Sequence, residues 1–343
     1  MSTQKSGKQA GSKHFTTQSF AAYKQAKKRI VMCTAYDYMQ AGIVETAGVD
    51  AILVGDSLGM TTLGYDSTLP VTMDDMLRAT AAVVKGAPAS YVIADMPFMS
   101  YQHSHDAGMQ NAAALIAQSG ANAVKIEGAS VEAVLLIESL VAAGIPVVGH
   151  LGLTPQSINA LGSYSTQAKE TSDIIRLMLD AHAIMTAGVC AIVLECVPAE
   201  VAEELAQMHL LPIIGIGSGV HCDGEVQVFH DLLGLGGDFK PRHAKRFLDG
   251  ADILTDAVGE YVQAVRARTF PTDAQATSID PNTVEEATSV FVEHLIEEAE
   301  FADSELEFFL DDAADGFIDA FNGAGDDESD QSSYFGGSRA HLN

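Results

Sequence analysis

The chain of 343 residues is poor in positive charge, poor in cysteine and free of long apolar runs. Lys and Arg total 19 against 46 Asp and Glu, a formal net charge of −27. So acidic a molecule repels nucleic acid and anionic membrane surfaces, and neither is expected as a partner. No apolar stretch reaches membrane-spanning length, and the polar, Lys-rich N-terminus lacks the apolar core of a secretion signal. Cys33, Cys190, Cys196 and Cys222 show neither metal-ligand nor redox spacing, and four scattered cysteines suit a reducing compartment. A soluble cytoplasmic protein is expected. No Gly-x-x-x-x-Gly-Lys-[Ser/Thr] phosphate loop and no internal repeat of fixed period is present.

Charge is spread unevenly. Residues 1–29 carry seven Lys or Arg and no acid, whereas residues 271–343 carry one basic residue and 19 acids. The expected organisation is a disordered basic segment over 1–19, a catalytic unit over 20–270, and an acidic, partly helical or disordered extension over 271–343. The extension has too few apolar residues to build a core of its own.

Between residues 20 and 270, apolar strand runs alternate with amphipathic helix patterns. Strands are expected near 30–35, 51–54, 91–94, 122–126, 146–149, 190–194, 212–216 and 226–230. Helix boundaries are well signalled: Thr72 with Asp75 reads as a capping box before a helix that stops at Gly86. Ser130 opens a second helix that ends by Gly144, and a third spans about 172–186 before Gly188. Eight strands alternating with helices read as a (β/α)8 barrel, an α/β fold of roughly 250 residues.

Several of these strands end abruptly in polar groups. Val54 is followed by Gly55-Asp56-Ser57, Ala94 by Asp95, Val124 by Lys125-Ile126-Glu127, Gly149 by His150, and Leu194 by Glu195. In a closed barrel those ends converge on one mouth. Asp56, Asp95 and Glu127 repel one another there unless a cation sits among them. Oxygen ligands without a Cys/His cluster favour Mg²⁺, although an Asp after a strand also serves as a turn cap. Mg²⁺ keeps positions open for a ligand with two adjacent oxygens, such as a 2-oxo acid.

Lys125 and Glu127, two apart, share a face. A buried lysine beside anionic ligands offsets their charge. Glu195, among apolar neighbours, reads as a general base of raised pKa, or alternatively as the partner of a nearby Arg or Lys. His150 projects toward the same mouth as a further site residue, or simply as a structural histidine. Ile214-Gly-Ile-Gly-Ser-Gly219 suits phosphate binding or close backbone approach.

With these residues in hand, the chain resembles the ketopantoate (3-methyl-2-oxobutanoate) hydroxymethyltransferase family. The matching stretches are Thr34-Ala-Tyr-Asp-Tyr38, Val54-Gly-Asp-Ser-Leu-Gly-Met60, Asp66-Ser-Thr-Leu-Pro-Val-Thr72, Ala94-Asp-Met-Pro-Phe-Met-Ser-Tyr101, Val124-Lys-Ile-Glu-Gly128, Gly149-His-Leu-Gly-Leu-Thr-Pro-Gln-Ser157, Leu194-Glu-Cys-Val-Pro198 and Pro212-Ile-Ile-Gly-Ile-Gly-Ser-Gly219. They run in order across about residues 20–270.

The resemblance implies a barrel of the phosphoenolpyruvate/pyruvate-binding type. It implies transfer of a one-carbon unit from 5,10-methylenetetrahydrofolate to 3-methyl-2-oxobutanoate, giving 2-dehydropantoate for pantothenate and coenzyme A synthesis. By the same resemblance Asp56 and Asp95 hold Mg²⁺, with Glu127 joining directly or through water. Asp56, Ser57, Asp95 and Lys125 bind the oxo acid, Glu195 accepts the proton, and the protein is a homo-oligomer, a decamer in the family. Two features depart from the family: the segment Gly162-Ser-Tyr-Ser-Thr-Gln-Ala-Lys-Glu170 lacks the family's loop pattern, and the extension after Pro271 exceeds its usual end. A carbon–carbon lyase or mutase of the same barrel superfamily is disfavoured because the chain lacks a Lys-Lys-Cys-Gly-His loop. A non-enzymatic scaffold is disfavoured by the charges gathered at one mouth.

Overall fold

The computed structural model describes residues 14–236 and 240–322, with side-chain surroundings given as far as Phe301. They form two compact units that divide at Glu260 and Tyr261. In the first, eight parallel strands close into a barrel in sequence order: β1 (Ile30–Thr34), β2 (Ala51–Val54), β3 (Tyr91–Asp95), β4 (Ala123–Glu127), β5 (Val147–Gly152), β6 (Ala191–Glu195), β7 (Ile213–Ile216) and β8 (Gly224–Gln227). β8 returns to β1 with Ile30 opposite Gly224.

Alternation within each strand splits the core in two. Ile30, Met32, Ala51, Leu53, Tyr91, Ile93, Ala123, Val148, Ala191, Val193, Ile214, Ile216 and Val226 fill the barrel's interior. Ile52, Val54, Val92, Ala94, Val124, Ile126, Val147, Leu151, Ile192 and Leu194 face the surrounding helices.

The helices start where their caps predict. Thr72 and Asp75 form a reciprocal capping box on the helix Met73–Gly86. Ser130 caps Val131–Ala142 through the Ala133 N–H. The floor of the barrel is closed by the helix Thr17–Gln25. Its Phe20 is fully buried within the interior cluster, edge-on to Phe15 and Tyr91. Thr17 bonds the Tyr91 hydroxyl, and Lys24 pairs with Asp223 at 2.7 Å, both beside the N-terminal ends of strands.

Three expectations shift. Residues 14–19 are folded rather than disordered, because Phe15 and Phe20 supply the barrel's floor; residues 1–13 lie outside the described part. β8 runs from 224 to 227 rather than 226–230. The Thr34 hydroxyl accepts the Phe229 N–H there and turns the chain into the short helix Phe229–Leu233. β5 continues through Gly152, so His150 lies inside the strand rather than at its tip.

In the second unit, the helix Pro281–Asn322 carries the acidic sequence, and its residues through Phe301 are exposed. Within the segment 271–343, expected to be partly helical or disordered, Pro281–Asn322 is a helix; residues 323–343 lie outside the described part.

Candidate active site

Strand register brings the charged side chains together. Within β2–β6 the inward positions are the odd residues of β3, β4 and β6 and the even ones of β5. Asp95, Lys125, Glu127, His150 and Glu195 therefore all continue the interior face. Asp95 lies opposite Lys125, Glu127 opposite His150, and Gly152 opposite Glu195. Gly152 sits at φ +88°, and a Cβ there would strike the Glu195 carbonyl oxygen. The glycine lets the Leu153 N–H donate to that carbonyl at 2.8 Å and seats Glu195 against β5.

The cavity at the C-terminal end of the barrel has a volume of about 160 Å³. Asp56, Ser57, Asp95, Lys125, Glu127, His150 and Glu195, every site residue expected from the sequence, line it. Asp56, Asp95, Lys125, Glu127 and His150 are buried, and the Glu195 side chain is 16% exposed.

Lys125 Nζ lies 2.9 Å from Asp95 Oδ1, 3.6 Å from Glu127 Oε1 and 3.1 Å from His150 Nδ1. His150 Nδ1 pairs with Glu127 Oε1 at 3.1 Å, and its Nε2 lies 3.3 Å from Glu195 Oε2. The partner of Glu195 is thus a histidine, not the Arg or Lys considered from the sequence.

Burial, with the charges of Asp95 and Glu127, pushes the Asp56 pKa well up. Burial raises Asp95 as well, against the pull of Lys125. Glu127 goes the other way: despite burial, His150, Lys125 and its hydrogen bonds hold it below the ordinary carboxylate value. Burial and Lys125 act to lower His150, but Glu127 and Glu195 prevail and raise it to about 9. Lys125 is likewise raised by its three carboxylates in spite of burial, so it stays charged.

This division bears on a cation. Both Glu127 oxygens are engaged, Oε1 by His150 and Lys125 and Oε2 by the Gln156 N–H at 3.1 Å. Asp56 and Asp95 remain as two neighbouring carboxylates that burial makes costly to ionise. Asp95 Oδ1 accepts no aligned hydrogen bond. Among the described residues no three His, Cys, Asp or Glu side chains form a complete metal cage. Two carboxylates with room for water and substrate fit Mg²⁺, which dehydrates reluctantly and is commonly held by one or two protein carboxylates.

Sequence reasoning missed Gln156, although it lay within a motif already singled out. Its Nε2 donates to Asp56 Oδ2 and to the Met96 carbonyl, both at 2.9 Å. Its Oε1 accepts from Gln102 Nε2 at 2.9 Å and from the Tyr101 hydroxyl at 3.2 Å. Its side-chain amide therefore orients Asp56, while its backbone N–H holds Glu127. Its signal was slight: a polar residue just after Thr154-Pro155, where β5 gives way to a 3-10 turn (Pro155–Ser157). Tyr164 and His243 line the cavity as well and were also missed.

Gly55-Asp-Ser-Leu-Gly59 has the spacing of a hydrolase nucleophile elbow. Ser57 Oγ, however, shares its 2.9 Å hydrogen bond with the Tyr36 hydroxyl rather than with a histidine. The glycine-rich turn after β7 serves close approach: the Ser218 hydroxyl donates to the Leu194 carbonyl at 2.7 Å, and a Cβ on Gly219 would meet Ala199.

A parallel eightfold barrel with acids and a buried lysine at the C-terminal ends of its strands is a (β/α)8 barrel with its charged groups where enzymes of this fold carry their sites. It superposes on phosphoenolpyruvate phosphomutase from Streptomyces platensis subsp. rosaceus with a TM-score of 0.51 and 15% identity, covering 84% of this chain and 99% of that one. Phosphonopyruvate hydrolase matches with a TM-score of 0.50 and 15% identity, over 82% and 97% of the two chains.

Sequence narrows the class. Residues 14–273 match the family profile of ketopantoate hydroxymethyltransferase. The 3-methyl-2-oxobutanoate hydroxymethyltransferase of Carboxydothermus hydrogenoformans is 48% identical over 270 residues, 79% of this chain and 98% of that protein. Its counterpart in Geobacillus thermodenitrificans is 49% identical over 259 residues, 76% and 92%. The chain belongs to the ketopantoate hydroxymethyltransferase family. Among the described residues, no helix is long and apolar enough to cross a membrane.

Proposed function

We propose that this protein is a 3-methyl-2-oxobutanoate hydroxymethyltransferase, moving a one-carbon unit from 5,10-methylenetetrahydrofolate to 3-methyl-2-oxobutanoate to give 2-dehydropantoate. The convergence of Asp56, Asp95, Lys125, His150 and Glu195 on one small cavity of a family member carries the reading.

Asp56 and Asp95 are the groups that would hold Mg²⁺, with Glu127 reaching it through water. When bound, Mg²⁺ supplies Lewis acidity toward the keto and carboxylate oxygens of the oxo acid, whose C3 proton is otherwise too weakly acidic for a carboxylate base.

Lys125, fixed by Asp95 and Glu127, offsets the substrate's negative charge. Ser57, held by Tyr36, offers a hydroxyl to the oxo acid. Glu195 takes the C3 proton, and His150 holds Glu195 in place from beneath. The C3 carbon then bonds to the donor's one-carbon unit as both of that unit's C–N bonds to folate break; water supplies the hydroxyl oxygen, and the C3 proton with one proton of water passes to the two folate nitrogens, leaving tetrahydrofolate.

A homo-oligomer, decameric in the family, is part of this reading. It is supported by apolar side chains left exposed on the helix Gly250–Arg266, such as Leu254 at 58%, Val258 at 61% and Tyr261 at 57%. A cytoplasmic setting fits four cysteines that are all free.

The test is turnover of 3-methyl-2-oxobutanoate with methylenetetrahydrofolate, with and without Mg²⁺. Mg²⁺-dependent formation of 2-dehydropantoate is expected. No product under conditions that support a family relative would refute the assignment.

A further inference from the structure

The loop between the short helix Leu58–Thr61 and the helix Met73–Gly86 carries the motif Asp66-Ser-Thr-Leu-Pro-Val-Thr72, which no step above uses. It folds back on Gly59. The Tyr65 N–H donates to the Gly59 carbonyl at 2.8 Å. A Cβ on Gly59 would strike Val71 and crowd Tyr65 and the Ser67 carbonyl, so the glycine is what lets the loop lie this close. Val71 is buried at its far end, and its N–H donates to the Thr68 carbonyl at 3.2 Å. Thr68 is thereby pressed into the cavity wall that Ser57 and Met60 also form.

Thr68 is 2% exposed, and its Oγ1 is buried with no hydrogen-bond partner among the described residues. A buried polar atom without a partner is costly, and folded proteins keep few of them. Three other lining residues hold such an atom: Asp95 Oδ1, His150 Nε2 and Gln227 Oε1. The first two lie among charges, 2.9 Å from Lys125 and 3.3 Å from Glu195. The Gln227 amide is tied through Nε2 to Glu225 and to the His243 carbonyl. Thr68 alone of the four offers a hydroxyl, neutral and able both to donate and to accept. The loop does not need that hydroxyl. Its own bonds run through backbone atoms and through the Ser67 hydroxyl, which accepts the Leu69 N–H.

The structure assigns Thr68 Oγ1 to the new alcohol of the hydroxymethylated acid, as a residue that distinguishes the acid after transfer from the acid before it. This rests on the oxo-acid reading of the inner site. The two acids share a carboxylate and a keto oxygen, which the charged groups and Ser57 recognise. They differ by one hydroxymethyl group, whose hydroxyl is neutral and is both donor and acceptor. An uncharged hydroxyl in the wall matches it; an acceptor-only carboxylate or a donor-only ammonium matches half of it. Thr68 acts on neither the C3 proton nor the cation, so its contribution belongs to binding.

The test is equilibrium binding of 2-dehydropantoate and of 3-methyl-2-oxobutanoate to the full chain with Mg²⁺, by calorimetry. Thr68→Val keeps the shape and removes the hydroxyl. It is expected to raise the Kd of 2-dehydropantoate about tenfold, as for one buried hydrogen bond, and to leave that of 3-methyl-2-oxobutanoate within about twofold. Thr68→Ser keeps a hydroxyl and should hold both within about threefold of the wild type. Without ligand, Thr68→Val should melt no lower than the wild type, since a methyl replaces an unpartnered hydroxyl. Equal changes for the two acids, or an unchanged Kd for 2-dehydropantoate, would overturn the assignment. A lower melting temperature would overturn it too, by showing that the hydroxyl already serves the fold. Exchange of the oxo acid's C3 hydrogen with deuterated water separates the two readings: its absence in the wild-type protein would strike the functional reading, whereas wild-type exchange with the wrong Thr68→Val affinities would strike Thr68 alone.

Discussion

His150 stands between two carboxylates with opposite duties: its Nδ1 is 3.1 Å from Glu127 and its Nε2 is 3.3 Å from Glu195. Glu127 belongs to the buried charge cluster, whereas Glu195 is the only one of the pair with access to the open part of the cavity. The imidazole fixes Glu195, the proposed base, relative to the buried charge cluster.

Glu195→Gln retains the size of the side chain and its contact with His150 but cannot take a proton. Exchange of the oxo acid's C3 hydrogen with deuterated water should fall by about 10²–10⁴-fold, the usual range for losing a general base. Oxo-acid affinity, measured by calorimetry with Mg²⁺, should stay within about threefold. Exchange at the wild-type rate would move the base elsewhere.

Asp95→Asn removes one of the two carboxylates that fit the cation and unpairs Lys125. Mg²⁺ affinity, read by titration calorimetry, should fall by about 10²-fold, since charge as well as a ligand is lost. The circular dichroism spectrum should be unchanged. An unaltered Mg²⁺ requirement would refute the assignment of Asp95 to the metal.

Gln156→Ala leaves Asp56 Oδ2, the Met96 carbonyl and the Gln102 amide with fewer partners in a buried setting. A loss of about 1–3 kcal/mol in unfolding free energy is expected. Mg²⁺ affinity should drop by about 10–100-fold, as for groups that orient metal ligands. Saturating Mg²⁺ should restore much of kcat, which a purely structural lesion would not allow.

The pH dependence of stability follows from signs. His150 is raised in the folded state from 6.5 to about 9, so its contribution is complete below pH 6.5 and disappears as pH rises toward 9. The raised Asp56 acts in the same direction, because a carboxyl that prefers its proton when folded destabilises the fold once ionised. Without metal, unfolding free energy should therefore fall between pH 6.5 and 9, by on the order of 3 kcal/mol from the histidine. Denaturant melts of the wild type and His150→Gln test this; the same slope in both would exclude the histidine.

The acidic extension should be dispensable for chemistry. Its 19 acids repel anionic substrates, and the family match ends at residue 273. A chain ending at Pro271 should keep kcat within about threefold. A soluble, correctly assembled truncation reduced more than tenfold, about 1.4 kcal/mol in barrier, would show that the extension shapes the site.

The barrel and its charged mouth were legible because they are local signals. An apolar run that breaks into Asp95, or Lys125 and Glu127 two apart, announces both a strand and its inward face within a few residues. Gln156 was not legible, because its role depends on Asp56, a hundred residues away, and on Met96 and Gln102 folding beside it. The partner of Glu195 was hidden for the same reason: only the register of β5 against β6 brings His150 to it. The end of β8 was misplaced because Val226-Gln-Val-Phe229 is apolar enough for a strand, and a hydroxyl from Thr34 on β1 decides otherwise. Residues 14–19 looked unstructured because Phe15 is the one apolar residue among them.

Phe20 has a kinetic consequence. With the barrel's floor shut by that ring, the oxo acid can reach the inner site only through the mouth, which the proposed donor would share. If that donor closes the mouth, addition runs oxo acid before folate, and departure in reverse, with tetrahydrofolate leaving before the elongated acid. Initial-rate patterns should show an ordered sequence, and methylenetetrahydrofolate supplied ahead of the oxo acid should act as a plug.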